Sequence, residues 1–351
     1  MPTVTVVVPC YKYGSYVTAA VTSILANTLV DLEIIVVDDA SPDDSWSVVR
    51  RLPELDPRIR VKRNETNLGL IATANENVMS ATGDYVVLLS ADDALAPGWL
   101  DRAVAALEDH PEATFAYGRF VPFSADVPAV DVSGPARVTV HRGHDWLAAR
   151  AASAMYLLAS PEAVVRTSAQ HAVGPYDPKL THTSDMELWI RLASVGDVVQ
   201  VIGPPAAMYR VSPASMSRSA QDRRLNHLLW SLEAFEAWHV FAEGRIDDRD
   251  KLLANAKWAL GMRALQIAFD CLIEDPQSDD VDELCGFAVH CDRRLAAWTR
   301  RIRTLRSRPR LRPVLRPLRT YVGVRRLLPL RLIAQVSKRY ASNRMAYRPG
   351  R

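Results

Sequence analysis

The sequence lacks any long hydrophobic run: its 351 residues contain no apolar stretch of about 20 residues, the length that spans a bilayer. Its first ten residues, MPTVTVVVPC, have neither the basic segment nor the long apolar segment of a secretory signal peptide. It has only four cysteines, and their positions match neither a disulfide framework nor a standard zinc-site spacing. We therefore expect a cytoplasmic protein with reduced, half-buried thiols.

Two glycine-rich motifs that bind phosphates are absent as well. No GxGxxG follows the first apolar run, so the fingerprint of dinucleotide-binding proteins is missing. No GxxxxGK followed by Ser or Thr occurs, which excludes a P-loop. If the protein binds phosphates, a metal ion would therefore have to meet their negative charge.

The charge is unevenly distributed, although the formal net charge is only +3. Residues 292–351 contain 19 Arg and Lys against one acidic residue, whereas residues 1–291 contain 24 basic and 39 acidic residues. Such a split predicts an acidic body of the kind found in enzymes, followed by a basic tail.

Short apolar runs alternate with helix-like segments over about the first 120 residues. The predicted strands cover residues 3–9, 33–39, 58–64 and 84–90, and the predicted helices between them cover residues 15–27, 45–51 and 70–80. This alternation predicts an α/β fold with a mostly parallel sheet covered by helices on both faces. Residues 182–196 form a further predicted helix, with Ser184 and Glu187 as a capping box, and residues 222–297 are helical in composition.

Polar segments follow each of the four predicted strands, and they read PCYKYGSY, DDASPDDS, NETNLG and SADD. Ligands of such sheets bind outside the carboxyl ends of the strands. The last segment places Asp92 and Asp93 at the end of a buried strand, where two carboxylates are unfavourable unless a cation or ligand compensates them. They are suitable ligands for Mg²⁺ or Mn²⁺ bridging to phosphates. The alternative is a solvated Asp-Asp turn that caps the next helix.

These segments resemble, in order and spacing, the motifs of family 2 inverting glycosyltransferases with the A-type fold. The resemblance covers Pro2 to Ser219 and includes SDMELWIRLASVGD as its last motif. It implies a glycosyltransferase domain at residues 1–220, followed by a helical extension at 221–297 and an Arg-rich tail at 298–351. It also implies that a sugar is moved from a UDP- or dTDP-sugar to a hydroxyl of a saccharide or lipid-linked saccharide. Such transfer would serve polysaccharide or cell-envelope biosynthesis and would use Mg²⁺ or Mn²⁺.

The resemblance also assigns roles to individual residues. The expected metal ligands are Asp92 and Asp93. Residues expected at the nucleotide sugar are Pro9 and Tyr11 at the base, Asp39 at the base or ribose with Asp38 supporting it, Asn67 and Gly69 in a donor loop, and Ser90 and Ala91 beside the metal ligands.

Asp185 is the predicted general base. Inversion by direct displacement needs a carboxylate that takes the proton of the attacking hydroxyl. Asp185 matches the acidic position of the family motif in SDMELW, and the first turn of a helix favours its charged form. The alternative is an acid that merely occupies a helix start. His182 is a candidate for acceptor contact, whereas Trp189 is interpreted mainly as a core residue.

Three positions depart from the family pattern. Ser90 replaces the first Asp of the D-x-D motif, Ala74 stands where Arg is common, and Ser212 stands where His is frequent. They motivate a second hypothesis, a catalytically silent nucleotide-sugar-binding or scaffold protein. A nucleotidyltransferase is a third, but it typically has a glycine-rich basic loop after the first strand, and PCYKYGSY has one Gly and one Lys.

The basic tail interleaves Arg with Leu, Val and Ile. This pattern suits an anionic membrane surface, which attracts the arginines and takes up the apolar side chains. Nucleic acid is the rival partner, and we favour the membrane because many enzymes of the family act on lipid-linked acceptors. The remaining alternatives are a solubilising tail and an arm that folds over the acidic body.

Overall fold

The computed structural model describes residues 1–153, 158–212, 224–275 and 278–306. The chain divides into two compact units. The first comprises residues 1–222 and 229–256, and the second comprises residues 223–228 and 257–351.

The first unit contains two sheets. Their strands are β1 (Thr3–Cys10), β2 (Asp31–Asp38), β3 (Ile59–Arg63), β4 (Tyr85–Leu88), β5 (Ala94–Leu95), β6 (Ala113–Tyr117), β7 (Phe120–Phe123), β8 (Arg137–His141), β9 (Ala163–Arg166), β10 (Asp197–Ile202) and β11 (Ala207–Arg210). Eight of them form a sheet in the order β3-β2-β1-β4-β9-β6-β10-β8, and β5-β11-β7 form a smaller sheet.

The large sheet is mostly parallel, as predicted. Strands β3, β2, β1 and β4 run parallel to one another, and β6 runs parallel to β10. Strand β9 is antiparallel to both β4 and β6, and β8 is antiparallel to β10. The carboxyl ends of β1, β2, β4 and β6 therefore lie at one edge of the sheet, which we call the rim.

The described helices surround this sheet and build the second unit. They are α1 (Gly14–Leu25), α2 (Ser45–Val49), α3 (Leu70–Met79), α4 (Trp99–Glu108), α5 (Gly143–Ser153), α6 (Thr167–Val173), α7 (Ser184–Ala193), α8 (Asn226–Phe241), α9 (Arg249–Glu274), α10 (Asp280–Cys291) and α11 (Ala296–Arg306). The predicted strands and helices before Ser90 are present with ends shifted by two residues or fewer.

Strand β1 shows why the apolar runs are continuous rather than alternating. Val4, Val6 and Val8 lie in one core cluster with Ile24 of α1, whereas Val7 lies in a second cluster on the opposite face of the sheet. Both faces of the strand are thus covered, which favours an apolar run such as Val6–Val8 over an alternating pattern.

Helix α8 belongs to the first unit from residue 229 onward. Phe235 and Trp238 are fully buried in a cluster that includes Met186 and Ile190 of α7. The Nε1 atom of Trp238 donates a hydrogen bond to Oγ of Ser194 at 2.8 Å. The helical extension predicted at 221–297 is therefore divided between the two units.

The second unit packs α10 and α11 against the later part of α9. Gly261 in α9 permits the close approach, because a Cβ atom there would lie 2.5 Å from Cδ1 of Leu295. Asp282 of α10 pairs with Arg303 and Arg306 of α11. Most of the predicted basic tail, residues 307–351, lies outside the described residues.

All four cysteines are buried, more deeply than the half-buried thiols expected from the sequence. No helix in the described ranges combines the length and the apolar character needed to cross a membrane.

Candidate active site

The segment that follows β1 is fixed to the segment that follows β2. Lys12 adopts a left-handed conformation, with φ of 62°, and its backbone N–H donates to Oγ of Ser41 at 3.0 Å. The Nζ atom of Lys12 lies 5.1 Å from the ring centroid of Tyr11, and the Tyr11 side chain is 39% exposed. Pro9, in contrast, is buried within β1. Of the two residues expected at a nucleobase, Tyr11 thus presents its ring at the rim.

Asp38 is the last residue of β2 and Asp39 follows it, but the two side chains have different environments. Asp38 is fully buried, and its Oδ2 atom lies 3.2 Å from Nε of Arg63. Asp39 is also buried, and its carboxylate accepts hydrogen bonds from the backbone N–H groups of Leu68 and Gly69, each at 2.9 Å, and from Nδ2 of Asn64 at 2.7 Å. Asp39 therefore fixes the loop that leads from β3 into α3.

This network lowers the pKa of Asp39. Burial opposes the charged form, but the hydrogen bonds from Leu68, Asn64, Thr73 and Gly69 outweigh it. The carboxylate is thus ionised and bound within the protein. The two residues predicted in the donor loop lie in the segment that Asp39 binds. Asn67 is exposed, and Gly69 has a φ of 84°, a conformation that favours glycine.

The segment Ser90–Asp93 forms a turn after β4, closed by a hydrogen bond from the backbone N–H of Asp93 to the carbonyl of Ser90 at 3.1 Å. Ala91 is buried, and Ser90 and Asp92 are half-buried. Asp93 is buried, and its Oδ1 atom accepts the backbone N–H of Arg210 at 2.7 Å. Its Oδ2 atom has no hydrogen-bond partner among the described residues. Asp93 thus also holds β11 in place.

The charges of Asp92 and Asp93 are incompletely compensated. Burial raises the pKa of both carboxyls, and the charge of Asp92 raises the pKa of Asp93 further, whereas Arg210 opposes these shifts. In the described part of the chain, no group of three or more His, Cys, Asp or Glu side chains could hold a metal ion. A divalent cation nevertheless fits here, because such ions are often held by one or two carboxylates together with substrate phosphates.

Arg210 secures this turn. Its Nε atom donates to the carbonyl of Asp92 at 3.0 Å, and its Nη1 atom donates to the carbonyl of Ala125 at 2.6 Å. The guanidinium lies between the rings of Tyr16 and Phe123, at 4.2 and 4.4 Å from their centroids. Because all these contacts are within the protein, Arg210 orients Asp92 rather than pointing into solvent.

The acidic residues of β2 and β4 meet around the end of β1. Burial raises the pKa of Cys10 to about 12, and the charges of Asp38 and Asp92 add to this effect. The pKa of Tyr13 is also raised, by burial and then by the charges of Asp92 and Asp93. The carboxylates predicted to share one rim are therefore close enough to affect the same groups.

Asp185 lies in the first turn of α7, half-buried, and its Oδ1 atom accepts the backbone N–H of Met186 at 2.8 Å. Its charge raises the pKa of the buried Tyr176, after burial itself. Tyr176 is joined to α3 by two 2.8 Å hydrogen bonds between its backbone and the Asn75 side chain. Because α3 begins at the loop held by Asp39, these contacts connect Asp185 with the donor side of the rim.

The start of α7 differs from the prediction. The N-cap is Thr183, so the predicted capping box of Ser184 and Glu187 is wrong. The Glu187 carboxylate instead forms a buried ion pair with Arg191, one turn further along, with Nε and Oε1 2.7 Å apart. A buried arginine is a stronger partner for a carboxylate than a backbone N–H. Trp189 is buried against Phe115, as expected of a core residue.

Sequence reasoning missed several residues that build this site. Asn64 lies in the polar segment NETNLG, but no pattern in the neighbouring sequence indicates that its side chain donates to Asp39. Arg210 is a sequence-level candidate for contact with the diphosphate or for pairing with an acid, but local patterns do not show that it donates to the carbonyl of Asp92, 118 residues away. Nor do they show that Tyr176 lies near Asp185. Of the departures noted above, Ala74 is buried in α3.

Comparison with known proteins gives a consistent family. Residues 5–150 match the family described as Glycosyl transferase family 2. An uncharacterized glycosyltransferase of Haemophilus influenzae is 36% identical over 118 residues, which are 33% of this chain and 36% of that protein. The chondroitin synthase of Pasteurella multocida is 25% identical over 199 residues, which are 56% of this chain and 19% of the synthase. The chain thus spans about a third or less of the length of these relatives.

Solved structures share the fold. S. aureus TarS 1-349 in complex with UDP-GlcNAc matches with a TM-score of 0.60 at 15% identity, covering 82% of this chain and 81% of that chain. The mannosyltransferase PcManGT from Pyrobaculum calidifontis, in complex with GDP-Man and Mn²⁺, matches with a TM-score of 0.51 at 20% identity, covering 90% and 86%. The fold expected from the resemblance is therefore confirmed, whereas identities this low carry no assignment of substrate.

Proposed function

Because residues 5–150 match the family described as Glycosyl transferase family 2, we propose that this chain is an inverting glycosyltransferase that uses a UDP- or dTDP-sugar as donor. The acceptor would be a hydroxyl of a saccharide or a lipid-linked saccharide. Transfer of this kind would serve polysaccharide or cell-envelope biosynthesis. The observation that carries the proposal is the Asp92–Asp93 turn at the rim, where Asp92 is half-buried, Asp93 is buried, and Oδ2 of Asp93 has no hydrogen-bond partner among the described residues.

The donor half of the site would use the rim residues in distinct ways. The exposed ring of Tyr11 offers a surface for a nucleobase, and Asp39 holds the donor loop, including Asn67 and Gly69, from beneath. Asp92, with Asp93 behind it, would hold Mg²⁺ or Mn²⁺. When bound, the cation would offset the charge that develops on the departing diphosphate. The use of a divalent cation is supported by PcManGT, which shares the fold and is in complex with GDP-Man and Mn²⁺.

Asp185 would perform the proton transfer. As the acceptor oxygen forms a bond to the anomeric carbon, the bond from that carbon to the diphosphate oxygen breaks and the configuration inverts. The carboxylate of Asp185 takes the proton that the acceptor hydroxyl loses, and the nucleoside diphosphate leaves as an anion with the electrons of the broken bond, so no second acid is needed to protonate it. Helix α7 supports this role by placing the carboxylate at its N-terminus, where the helix dipole favours negative charge.

Replacing Asp92 by Asn is expected to remove most of the metal-dependent part of nucleotide binding. Isothermal titration of wild-type protein with UDP and with dTDP should give about tenfold tighter binding with Mn²⁺ than without it, equivalent to about 1.4 kcal/mol. In the variant, the two conditions should give the same Kd within about twofold.

Asp84→Asn is the matched control for this experiment. Asp84 lies at the opposite end of the same strand, where its Oδ2 atom accepts the backbone N–H of Thr3 at 2.8 Å. It should keep the full effect of Mn²⁺. An undiminished Mn²⁺ effect in the Asp92 variant would contradict the metal site. Metal-dependent binding by wild type, without turnover of any donor, would instead favour the silent nucleotide-sugar-binding protein.

We also propose that the chain associates peripherally with anionic membranes on the cytoplasmic side, and not with nucleic acid. The support is the composition of residues 292–351 and the apolar residues between the arginines. The full chain should float with liposomes that contain 30% anionic lipid at low salt, and a chain that ends at Arg306 should not. Equal flotation of both forms would exclude the tail as the anchor.

A further inference from the structure

An aromatic pair lies beside the predicted base. The imidazole of His182 stacks on the indole of Trp230, with centroids 3.9 Å apart and planes 26° apart. Thr183, the N-cap of α7, donates from Oγ1 to the carbonyl of Trp230 at 3.0 Å. His182 precedes Asp185 by three residues, so the stack lies at the same end of α7 as the carboxylate. Both rings are half-buried.

The pair is held by a rigid support. Trp230 meets the beginning of α7, and Trp238, two turns later in α8, meets Ser194 at its end. The two helices therefore run in the same direction, side by side. Phe235 and Trp238 are fully buried between them. Trp230 is thus fixed next to the start of α7 by a packed core.

Tyr176, whose pKa is raised by burial and by the charge of Asp185, offers no comparable surface. The side chain of Tyr176 is only 4% exposed, so it forms the inside of the site rather than a face for a ligand. An acceptor hydroxyl must come within about 2.6–3.2 Å of the base that receives its proton. The sugar ring that carries the hydroxyl must therefore lie over the residues around the start of α7.

We propose that the stacked rings of His182 and Trp230 form the surface that binds a pyranose ring of the acceptor. This inference rests on the proposed function and specifies its acceptor side. A pyranose has a face of C–H groups and a periphery of hydroxyls. Aromatic rings suit the C–H face, and the imidazole of His182 offers a polar group for a hydroxyl. Trp230 lies outside residues 5–150, the part that matches the family, so this surface is a feature of the later part of the chain.

The test uses small glycosides as probes. Saturation-transfer NMR with the methyl pyranosides of glucose, galactose, mannose and N-acetylglucosamine should detect binding of at least one to the wild-type protein with UDP and Mn²⁺. Trp230→Ala should weaken that binding at least tenfold, and Trp230→Phe, which keeps a ring, by about threefold or less. His182→Ala should weaken it by an intermediate factor. The Kd for UDP should stay within twofold in all three variants.

Trp258→Ala is the matched control. Trp258 is also a half-buried helical tryptophan with a cationic neighbour, Arg294, whose guanidinium carbon lies 4.8 Å from its ring centroid. This variant should bind the glycosides as the wild type does. The proposal is overturned if no glycoside binds the wild type, if Trp230→Ala and Trp230→Phe bind it normally, or if Trp258→Ala loses as much affinity as Trp230→Ala. A lowered Tm with unchanged glycoside affinity would likewise assign the pair a structural role only.

The same measurements separate this inference from the proposed function. If UDP fails to bind the wild type with Mn²⁺ while a glycoside still depends on Trp230, the glycosyltransferase proposal fails and the sugar surface stands. If UDP binds normally and substitution of Trp230 does not change the affinity for glycosides, only the proposal of the acceptor surface is contradicted.

Discussion

Replacing Asp185 by Asn is expected to lower the rate of sugar transfer by about 10³-fold, because general-base catalysis typically contributes 10²–10⁴. The amide keeps an oxygen that can accept the backbone N–H of Met186, so the start of α7 should not change. It cannot take a proton from the acceptor hydroxyl. We expect the Kd for UDP to remain within twofold, so that the loss falls on kcat. Initial rates of UDP release, together with titration calorimetry, measure the two quantities separately.

Asp177→Asn is the appropriate control for this substitution. Asp177 lies in the same loop region as Tyr176, and its Oδ1 atom accepts the backbone N–H of Lys179 at 2.9 Å. The control should retain the wild-type rate, because it makes the same chemical change without touching the reacting proton. An Asp185→Asn variant that kept more than a tenth of the wild-type rate would remove Asp185 from the role of base.

The first half of the fold could be predicted because its signals are local. A strand covered on both faces must be apolar throughout, and the runs at β1, β2 and β4 meet this condition. Their polar ends mark the rim, because parallel strands bring their carboxyl ends to one side. The position of Asp38, Asp39 and Asp92 around β1 followed from topology alone.

The different contacts made by adjacent acidic residues could not be predicted from the sequence. Asp92 and Asp93 look equivalent in the sequence, but the pairing of β11 with β5 brings the Arg210 backbone to Asp93. Likewise, Asp39 was assigned to the nucleotide, and its oxygens meet the loop that precedes α3. Such contacts join segments 29 to 117 residues apart, and periodicity in a short window carries no information about them.

The capping box failed for a related reason. The S-x-x-E pattern at Ser184 is a valid local signal, because Glu three residues after an N-cap can reach back to the backbone. Here a tertiary environment prevails, since Arg191 is buried on the same helix face and is one turn from Glu187. The glutamate side chain therefore points toward the interior. The N-cap is Thr183, one residue before the predicted N-cap Ser184.

Replacing Arg191 by Met is expected to lower the free energy of unfolding by about 3–5 kcal/mol at pH 8.5, the usual effect of leaving a buried charge without its partner. Glu187 and Arg191 are only 3% and 6% exposed. Arg191 also donates to the carbonyls of Val173 and Pro175, at 2.5 and 2.7 Å, which fixes the chain next to Tyr176. Denaturant unfolding of variant and wild type at equal pH gives the difference directly.

The pH dependence of this loss identifies its cause. Burial raises the pKa of Glu187 to about 7, and Arg191 opposes the rise, so the variant carboxyl should have a still higher pKa. An acid with a raised pKa in the folded state loses stability as the pH rises from its unfolded pKa to its folded pKa. More of the carboxyl is protonated in both folded proteins at pH 5.5 than at pH 8.5, so the difference in stability between them should be smaller at pH 5.5 and grow as the pH rises. Arg191→Met combined with Glu187→Leu should recover much of the loss at pH 8.5, since no unpaired charge remains, although the two carbonyls still lack their donor. A loss that is equal at both pH values, and that the second substitution does not relieve, would assign the whole effect to those carbonyl contacts instead.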